Sequence, residues 1–95
     1  MSDVQNWVLA MQRTKLEETS KRAVERSRYA KRHNGEIDEA WSMGEKLLNA
    51  LIFMRVDQLE ALDYSEPEAI DRLRFDFGVT ADEFPAVLAR IRAQL

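Results

Sequence analysis

The chain has 95 residues, of which 45% are hydrophobic and 33% are charged, and its formal net charge is −3. This length and balance predict a single globular domain over residues 1–95 and exclude a disordered chain. The absence of Cys excludes a disulfide scaffold, and three Gly with two Pro are too few for a turn-rich all-β fold. Charge is unevenly divided: residues 1–35 carry eight Lys and Arg against four acids, and residues 36–95 carry six against thirteen.

Two long helices are predicted in the first two thirds of the chain. The first runs from about Asp3 to His33, because cations fill its expected last turn and the following Asn-Gly pair suits a left-handed C-terminal cap. The second begins near residues 36–38, where acids favour a first turn, and continues to about Leu62. These two helices are expected to form a long antiparallel hairpin.

Two short helices are predicted to follow, each opened by a capping box. Ser65 and Glu68 have the spacing in which each side chain accepts the backbone N–H of the other, and this third helix ends near Phe77. Thr80 and Glu83 repeat that spacing at the start of the fourth helix. The sequence therefore predicts an all-α fold, a small four-helix domain whose two short C-terminal helices pack across one end of the hairpin.

The apolar pattern indicates which faces are buried. Residues 47–56 of the second helix are apolar almost all round, which is typical of a helix buried on more than one face, and Trp41 is expected in the same core. The first helix carries a seam of small residues, at which another backbone can approach closely, and a separate apolar stripe on a different side. The seam consists of Leu9, Leu16, Ser20, Ala23, Ser27 and Ala30.

The separate stripe, together with apolar residues of the second helix, is predicted to form a protein interface. A small domain has too few elements to cover both surfaces, and large apolar patches rarely stay bare on soluble monomers. We expect a homodimer that also docks onto a protein partner. Arg55 lies within the apolar arc and is expected to pair with a carboxylate at that interface or between helices. The predicted interface residues are Val4, Trp7, Val8, Met11, Phe53, Arg55 and Val56.

A nucleic-acid-binding regulator is the alternative function. Cations are dense near the end of the first helix, where each could neutralise a phosphate. These residues are Lys21, Arg22, Arg26, Arg28, Lys31 and Arg32. A solvated face that pairs with the acidic C-terminal half explains the same cations, and the negative net charge favours that interpretation.

The C-terminal hairpin bears on this alternative. Residues 77–80, Phe-Gly-Val-Thr, resemble the turn of a helix-turn-helix motif, with Phe84 and Val87 at the following core positions. The resemblance implies that the last helix would contact DNA. The sequence departs from the motif at Asp82 and Glu83, because acids at that helix N-terminus would repel phosphates.

No catalytic residue, metal site or cofactor is predicted. The chain has a single His, which we interpret as a cation at the end of the first helix, and it lacks a Gly-rich phosphate loop and a nucleophile elbow. The longest uninterrupted apolar run, residues 50–54, is too short to span a bilayer, and the N-terminus does not have the pattern of a secretory leader. The sequence thus favours a non-enzymatic, cytoplasmic regulatory protein that acts through protein–protein contacts and has no membrane partner.

Overall fold

The structure is a computed structural model that describes the backbone from Ser2 onward and the side chains of residues 13–95. It contains α1 (Ser2–Arg32), α2 (Met43–Ile52), α3 (Val56–Ala61), α4 (Glu66–Phe77) and α5 (Phe84–Arg92). The described part of the chain has no strand, so the predicted all-α class is confirmed.

The prediction of one long second helix is wrong. Residues 36–42 form a loop, α2 begins only at Met43, and the chain turns again at residues 53–55 before α3. The predicted hairpin of two long helices is therefore replaced by one long helix and four short ones. Trp41 lies half-buried in the loop rather than in the core.

A capping box that the continuous-helix prediction overlooked starts α2. The Ser42 hydroxyl accepts the Glu45 N–H at 3.2 Å, and the Glu45 carboxylate accepts the Ser42 N–H at 3.0 Å. These bonds satisfy N–H groups that have no partner in the first turn of a helix. The signal is present in the sequence as Ser-x-x-Glu, but it lies inside an apolar arc that suggests an uninterrupted helix.

The two predicted capping boxes are confirmed. Ser65 and Glu68 exchange bonds of 3.1 and 3.3 Å at the start of α4. Thr80 and Glu83 exchange bonds of 3.0 and 3.3 Å in a turn that leads into α5, so that helix begins slightly later than its box. Hydrogen bonds from Ser65 and Thr80 hold the pKa of the Glu68 and Glu83 carboxyls below the ordinary value.

Each of the first four helices ends in a Schellman motif, in which a left-handed residue lets two N–H groups reach back to the last helical carbonyls. After α2, for example, the Arg55 N–H donates to the Ala50 carbonyl at 2.8 Å and the Met54 N–H donates to the Leu51 carbonyl at 3.3 Å. The left-handed residues are Asn34 (φ 61°), Met54 (φ 52°), Asp63 (φ 62°) and Gly78 (φ 69°). The predicted end of α1 at the Asn-Gly pair is thereby confirmed.

Helix α2 is the centre of the core. Residues 47–52 are all buried, because α2 packs against each of the other four helices. The predicted small seam of α1 is confirmed at Ala23, Ser27 and Ala30, whose small side chains are buried beneath neighbouring helices. The Phe77 and Phe84 rings, which join α4 to α5, meet edge to face at 5.5 Å.

A buried amide cluster fixes the loop after α1 to α2 and α3. The Gly35 carbonyl accepts hydrogen bonds from Asn49 Nδ2 at 3.0 Å and from Gln58 Nε2 at 2.8 Å. Asn49 Nδ2 also donates to Gln58 Oε1 at 3.1 Å. These bonds set the position of α3 relative to α2, and within the cluster only Asn49 Oδ1 is buried without a hydrogen-bond partner among the described residues. The cluster thereby positions the side chains of α3 that reach the surface.

Candidate protein-interaction surface

The structure describes only part of the predicted interface. Phe53 is half-buried and packs against the core, whereas Val56 is 63% exposed. Met54, which the sequence analysis did not select, is 75% exposed and stands beside Val56 at the turn between α2 and α3. The side chains of Val4, Trp7, Val8 and Met11 lie outside the described residues.

Arg55 pairs with carboxylates of its own chain, but with Asp57 two residues away and Glu36 of the loop before α2 rather than between two helices. Its Nε and Nη2 donate to the two Asp57 carboxylate oxygens at 2.9 and 2.8 Å, and Nη2 lies 3.8 Å from Glu36. The hydrogen bonds from Arg55 hold the pKa of the Asp57 carboxyl below its ordinary value. Both carboxylates are largely exposed, so this pair contributes little to folding stability. A role for Arg55 in an interface stays a prediction.

Met54 and Val56 form one rim of an open groove, which we call the α2–α3 groove and whose lining combines six apolar residues with Glu66 and Arg92. Its volume is about 330 Å³, and the described residues that line it come from α2, α3, the turn between them, and the adjacent parts of α4 and α5. Leu51, Leu59 and Leu88 contribute buried aliphatic side chains to its walls. The other lining residues are Ala50, Met54, Val56, Glu66 and Arg92.

The presence of Met at position 54 is not explained by folding stability. An L-residue in the left-handed region costs roughly 1–2 kcal/mol, and helices normally place Gly or Asn there. The equivalent positions after α1, α3 and α4 hold Asn34, Asp63 and Gly78, residue types that adopt the left-handed region more readily than Met does. Because Met54 is also 75% exposed, it gains little from burial. Met54 therefore combines a left-handed backbone with an exposed apolar side chain, and folding stability accounts for neither.

The chain beside the groove is strongly acidic. Residues 56–68 contain five Asp and Glu and no Lys or Arg. Glu66 lines the groove, and Glu60 lies on α3 next to the lining residue Leu59. Among the described side chains, Glu60, Asp63 and Glu66 form no ion pair, and all three are exposed. The groove itself therefore holds one free acid, Glu66, beside its apolar residues, and Glu60 and Asp63 lie in the chain between the lining residues Leu59 and Glu66. Apolar residues beside free acids can attract a ligand that is both apolar and positively charged.

Most of the cations of α1 contact other groups of the same chain. Arg28 donates to the Gln94 carbonyl at 3.0 and 3.2 Å, and Lys31 donates to the Leu95 carbonyl at 2.8 Å. These contacts place positive charge at the C-terminal end of α5, where the helix dipole favours it. Arg26 pairs with Glu45 of α2 at 2.9 Å, which matches the interpretation of a basic face paired with the acidic half.

The other three residues predicted to contact nucleic acid, Lys21, Arg22 and Arg32, lie at the surface. Arg22 lies 3.9 Å from Glu18 on the same helix, and the Arg32 guanidinium lies 6.0 Å from the centre of the Tyr29 ring. Lys21 is exposed and borders a second groove of about 570 Å³ between α1 and α5. Acids such as Glu17 and Glu25 also line that second groove, so its charge is mixed. The six cations therefore do not form a uniform positive face.

The C-terminal hairpin has the order helix, turn, helix, but its exposed chemistry does not suit phosphate contact. The exposed residues of α5 that precede Arg90 are Pro85, Ala86 and Ala89, which carry no charge. Asp82 and Glu83 lie in the turn just before the helix rather than in its first turn, because α5 begins at Phe84, later than predicted. Arg92, in the last turn, is turned inward: it donates to the Ile52 carbonyl at 2.9 Å and to the Leu51 carbonyl at 2.6 Å.

Two other kinds of site were sought in the described part of the chain. No group of three His, Asp or Glu side chains comes together there in a way that would hold a metal ion. None of the helices described is both long and apolar enough to cross a membrane.

Comparison with protein families, curated proteins and solved structures finds no match to this chain. The surface of the molecule is therefore the basis for inferring its function.

Proposed function

We propose that this protein is a non-enzymatic regulatory module that acts by protein–protein contact through an apolar helical surface. The observation that carries this proposal is the α2–α3 groove with Met54 and Val56 exposed at its rim. An exposed apolar rim beside a groove with buried aliphatic walls is the anatomy of a docking site for another protein. Self-association through Val4, Trp7, Val8 and Met11 is a further part of the proposal, and it is based on the sequence pattern.

The position of Met54 supports a binding role for the groove. Met is flexible and polarizable, so it adapts to partners of different shape and is common at promiscuous binding surfaces. Because Gly or Asn would stabilise the turn better, the Met side chain is best explained by what it contacts outside the chain.

The nucleic-acid alternative has less support. Arg26, Arg28 and Lys31 are each committed to a partner in another part of the fold, so a phosphate would have to displace existing contacts. Each displacement reduces the gain from counterion release on binding. We therefore assign the basic end of α1 to holding the helices together.

Site-specific photo-crosslinking tests the proposal. A benzophenone amino acid replaces Met54 in the full chain, and the protein is irradiated in an extract of the cells that produce it naturally. We expect a discrete crosslinked protein product, because the side chain at position 54 would lie inside the contact. A mass of twice 11.1 kDa identifies a second copy of the chain, and any other mass identifies a different protein.

The matched control places the same crosslinker at Glu39, whose side chain is 96% exposed in the loop before α2 and does not line the groove. Random collisions would label both positions equally, whereas a docking site labels position 54 alone. A product at 54 that disappears when Val56→Ser is added supports the proposal. Equal labelling at both positions, or none at position 54, contradicts it.

A further inference from the structure

We infer that the occupant of the α2–α3 groove is a basic amphipathic helix of another protein. This inference rests on the proposed function and specifies the chemistry of its partner. Two features point to that occupant: the aliphatic residues in the lining of the groove, and the unpaired acids Glu66, in the lining, and Glu60 and Asp63, in the chain between the lining residues Leu59 and Glu66.

The walls favour a helix over an extended peptide. Extended peptides bind by adding a strand to a sheet edge, and the described residues contain no strand. Proline-rich peptides dock into grooves lined by aromatic rings, but the apolar lining here consists of Ala, Leu, Met and Val. An amphipathic helix places an aliphatic stripe into a groove of this composition, using residues spaced three and four apart.

The acidic residues near the groove favour a positively charged partner. Glu60 and Asp63 are exposed and form no ion pair with another described side chain, and Glu66 stands in the lining itself. The one cation in the lining, Arg92, directs its donors to the carbonyls of α2. Lys and Arg on the flanks of a docked helix would meet these free acids, which increases the association rate and excludes acidic helices.

A second copy of the chain is a poorer match. Its own basic helix, α1, buries its small seam in the fold, and Arg26, Arg28 and Lys31 are held by intramolecular contacts. To dock into the groove of a neighbour, that helix would have to leave its place. A helix of another protein could dock without first breaking contacts within this fold.

Fluorescence anisotropy with the intact protein tests the inference. The probe is a labelled peptide of about 18 residues, or five helical turns, in which Leu and Lys form an amphipathic helix. We expect saturable binding that weakens as salt rises from about 50 to 200 mM. A peptide of the same composition in scrambled order, and an amphipathic peptide with Glu in place of Lys, should both bind at least about tenfold more weakly.

Two groove variants locate the binding. Met54→Gly with Val56→Ser removes the apolar rim and should weaken binding by about tenfold or more. Glu60→Gln with Glu66→Gln removes two free acids and should weaken it by roughly three- to tenfold at low salt. Circular dichroism confirms that each variant remains folded. If Met54→Gly with Val56→Ser does unfold the chain, Val56→Ser alone serves as the rim variant.

The matched controls carry equivalent changes elsewhere. Phe75→Ala removes an exposed apolar side chain of α4 that does not line the groove, and Glu17→Gln with Glu25→Gln removes two acids from α1. Both should bind the Leu/Lys peptide as the unmodified protein does. Equal losses in the groove and control variants would show diffuse electrostatic attraction and overturn the inference, as would equal binding of the scrambled peptide.

Failure of this inference can be told from failure of the proposed function. A crosslinked partner at position 54 without any binding of the Leu/Lys peptide would keep the function and refute the basic helix. A crosslinked product of twice the chain mass would do the same and assign the groove to a second copy. Absence of both the crosslink and peptide binding would refute both.

Discussion

Arg92→Met should destabilise the fold much more than a typical surface substitution. The Arg92 guanidinium reaches across from α5 to the end of α2, where it donates to the Leu51 carbonyl at 2.6 Å and the Ile52 carbonyl at 2.9 Å. Met keeps most of the aliphatic stem and removes both donors. The substitution therefore measures the contribution of the two hydrogen bonds to stability with little change in packing.

The size of the effect follows from the two acceptors. A hydrogen bond to a charged group contributes about 1.5–3 kcal/mol, and a cation at a helix C-terminus adds about 0.3–1 kcal/mol. The Leu51 carbonyl retains the Met54 N–H at 3.3 Å, so its loss is partial, whereas the Ile52 carbonyl loses a close donor. We expect a loss of about 2–3 kcal/mol in the free energy of unfolding, or a fall of roughly 8–20 °C in Tm for a chain of this size.

Urea denaturation followed by circular dichroism measures this loss. Arg90→Met is the matched control, because Arg90 is exposed on the same helix and its guanidinium has no partner among the described residues. Arg92→Lys should fall between the two, since it keeps the charge but loses the paired donors. If Arg92→Met and Arg90→Met agree to within about 0.5 kcal/mol, the contacts of Arg92 do not stabilise α2 and the reasoning is refuted.

Three further predictions concern pH, assembly and nucleic acid. Because the pKa values of Glu68 and Glu83 are lowered in the folded state, the stability that their carboxylates contribute is complete above the ordinary value of 4.5 and is lost as pH falls through the lowered values. The free energy of unfolding of the variant Glu68→Gln with Glu83→Gln should therefore fall less steeply with acid than that of the unmodified protein. An identical pH profile for the two proteins would contradict this. Light scattering coupled to size exclusion should give a molecular mass of twice 11.1 kDa for the unmodified protein and a lower mass for Trp7→Ala. A mass of 11.1 kDa for both proteins would exclude self-association. The unmodified protein should not be retained by duplex DNA or RNA at low salt, whereas retention lost on charge reversal of Arg28 would revive the nucleic-acid function.

The sequence alone determined the features that depend on neighbouring residues. Ser65 and Glu68 satisfy each other's backbone N–H groups across three residues, so the start of α4 was predictable from their spacing. The end of α1 was predictable for the same reason, because Asn34 and Gly35 tolerate left-handed backbone. The buried seam of α1 followed from helical periodicity, which depends on residue order rather than on tertiary contacts.

The candidate site depended on tertiary structure, because it lies where the predicted second helix breaks. Residues 53–55 contain neither Gly nor Pro, so nothing local marks the turn. In a continuous helix the Leu51 and Ile52 carbonyls would accept the N–H groups of residues 55 and 56. Instead the Leu51 carbonyl accepts the Met54 N–H and Arg92 Nη2, and the Ile52 carbonyl accepts Arg92 Nε from about forty residues away in sequence. The contacts of Arg92 therefore join the end of α2 to α5, and Leu88 and Arg92 of α5 complete the lining of the groove beside Met54 and Val56.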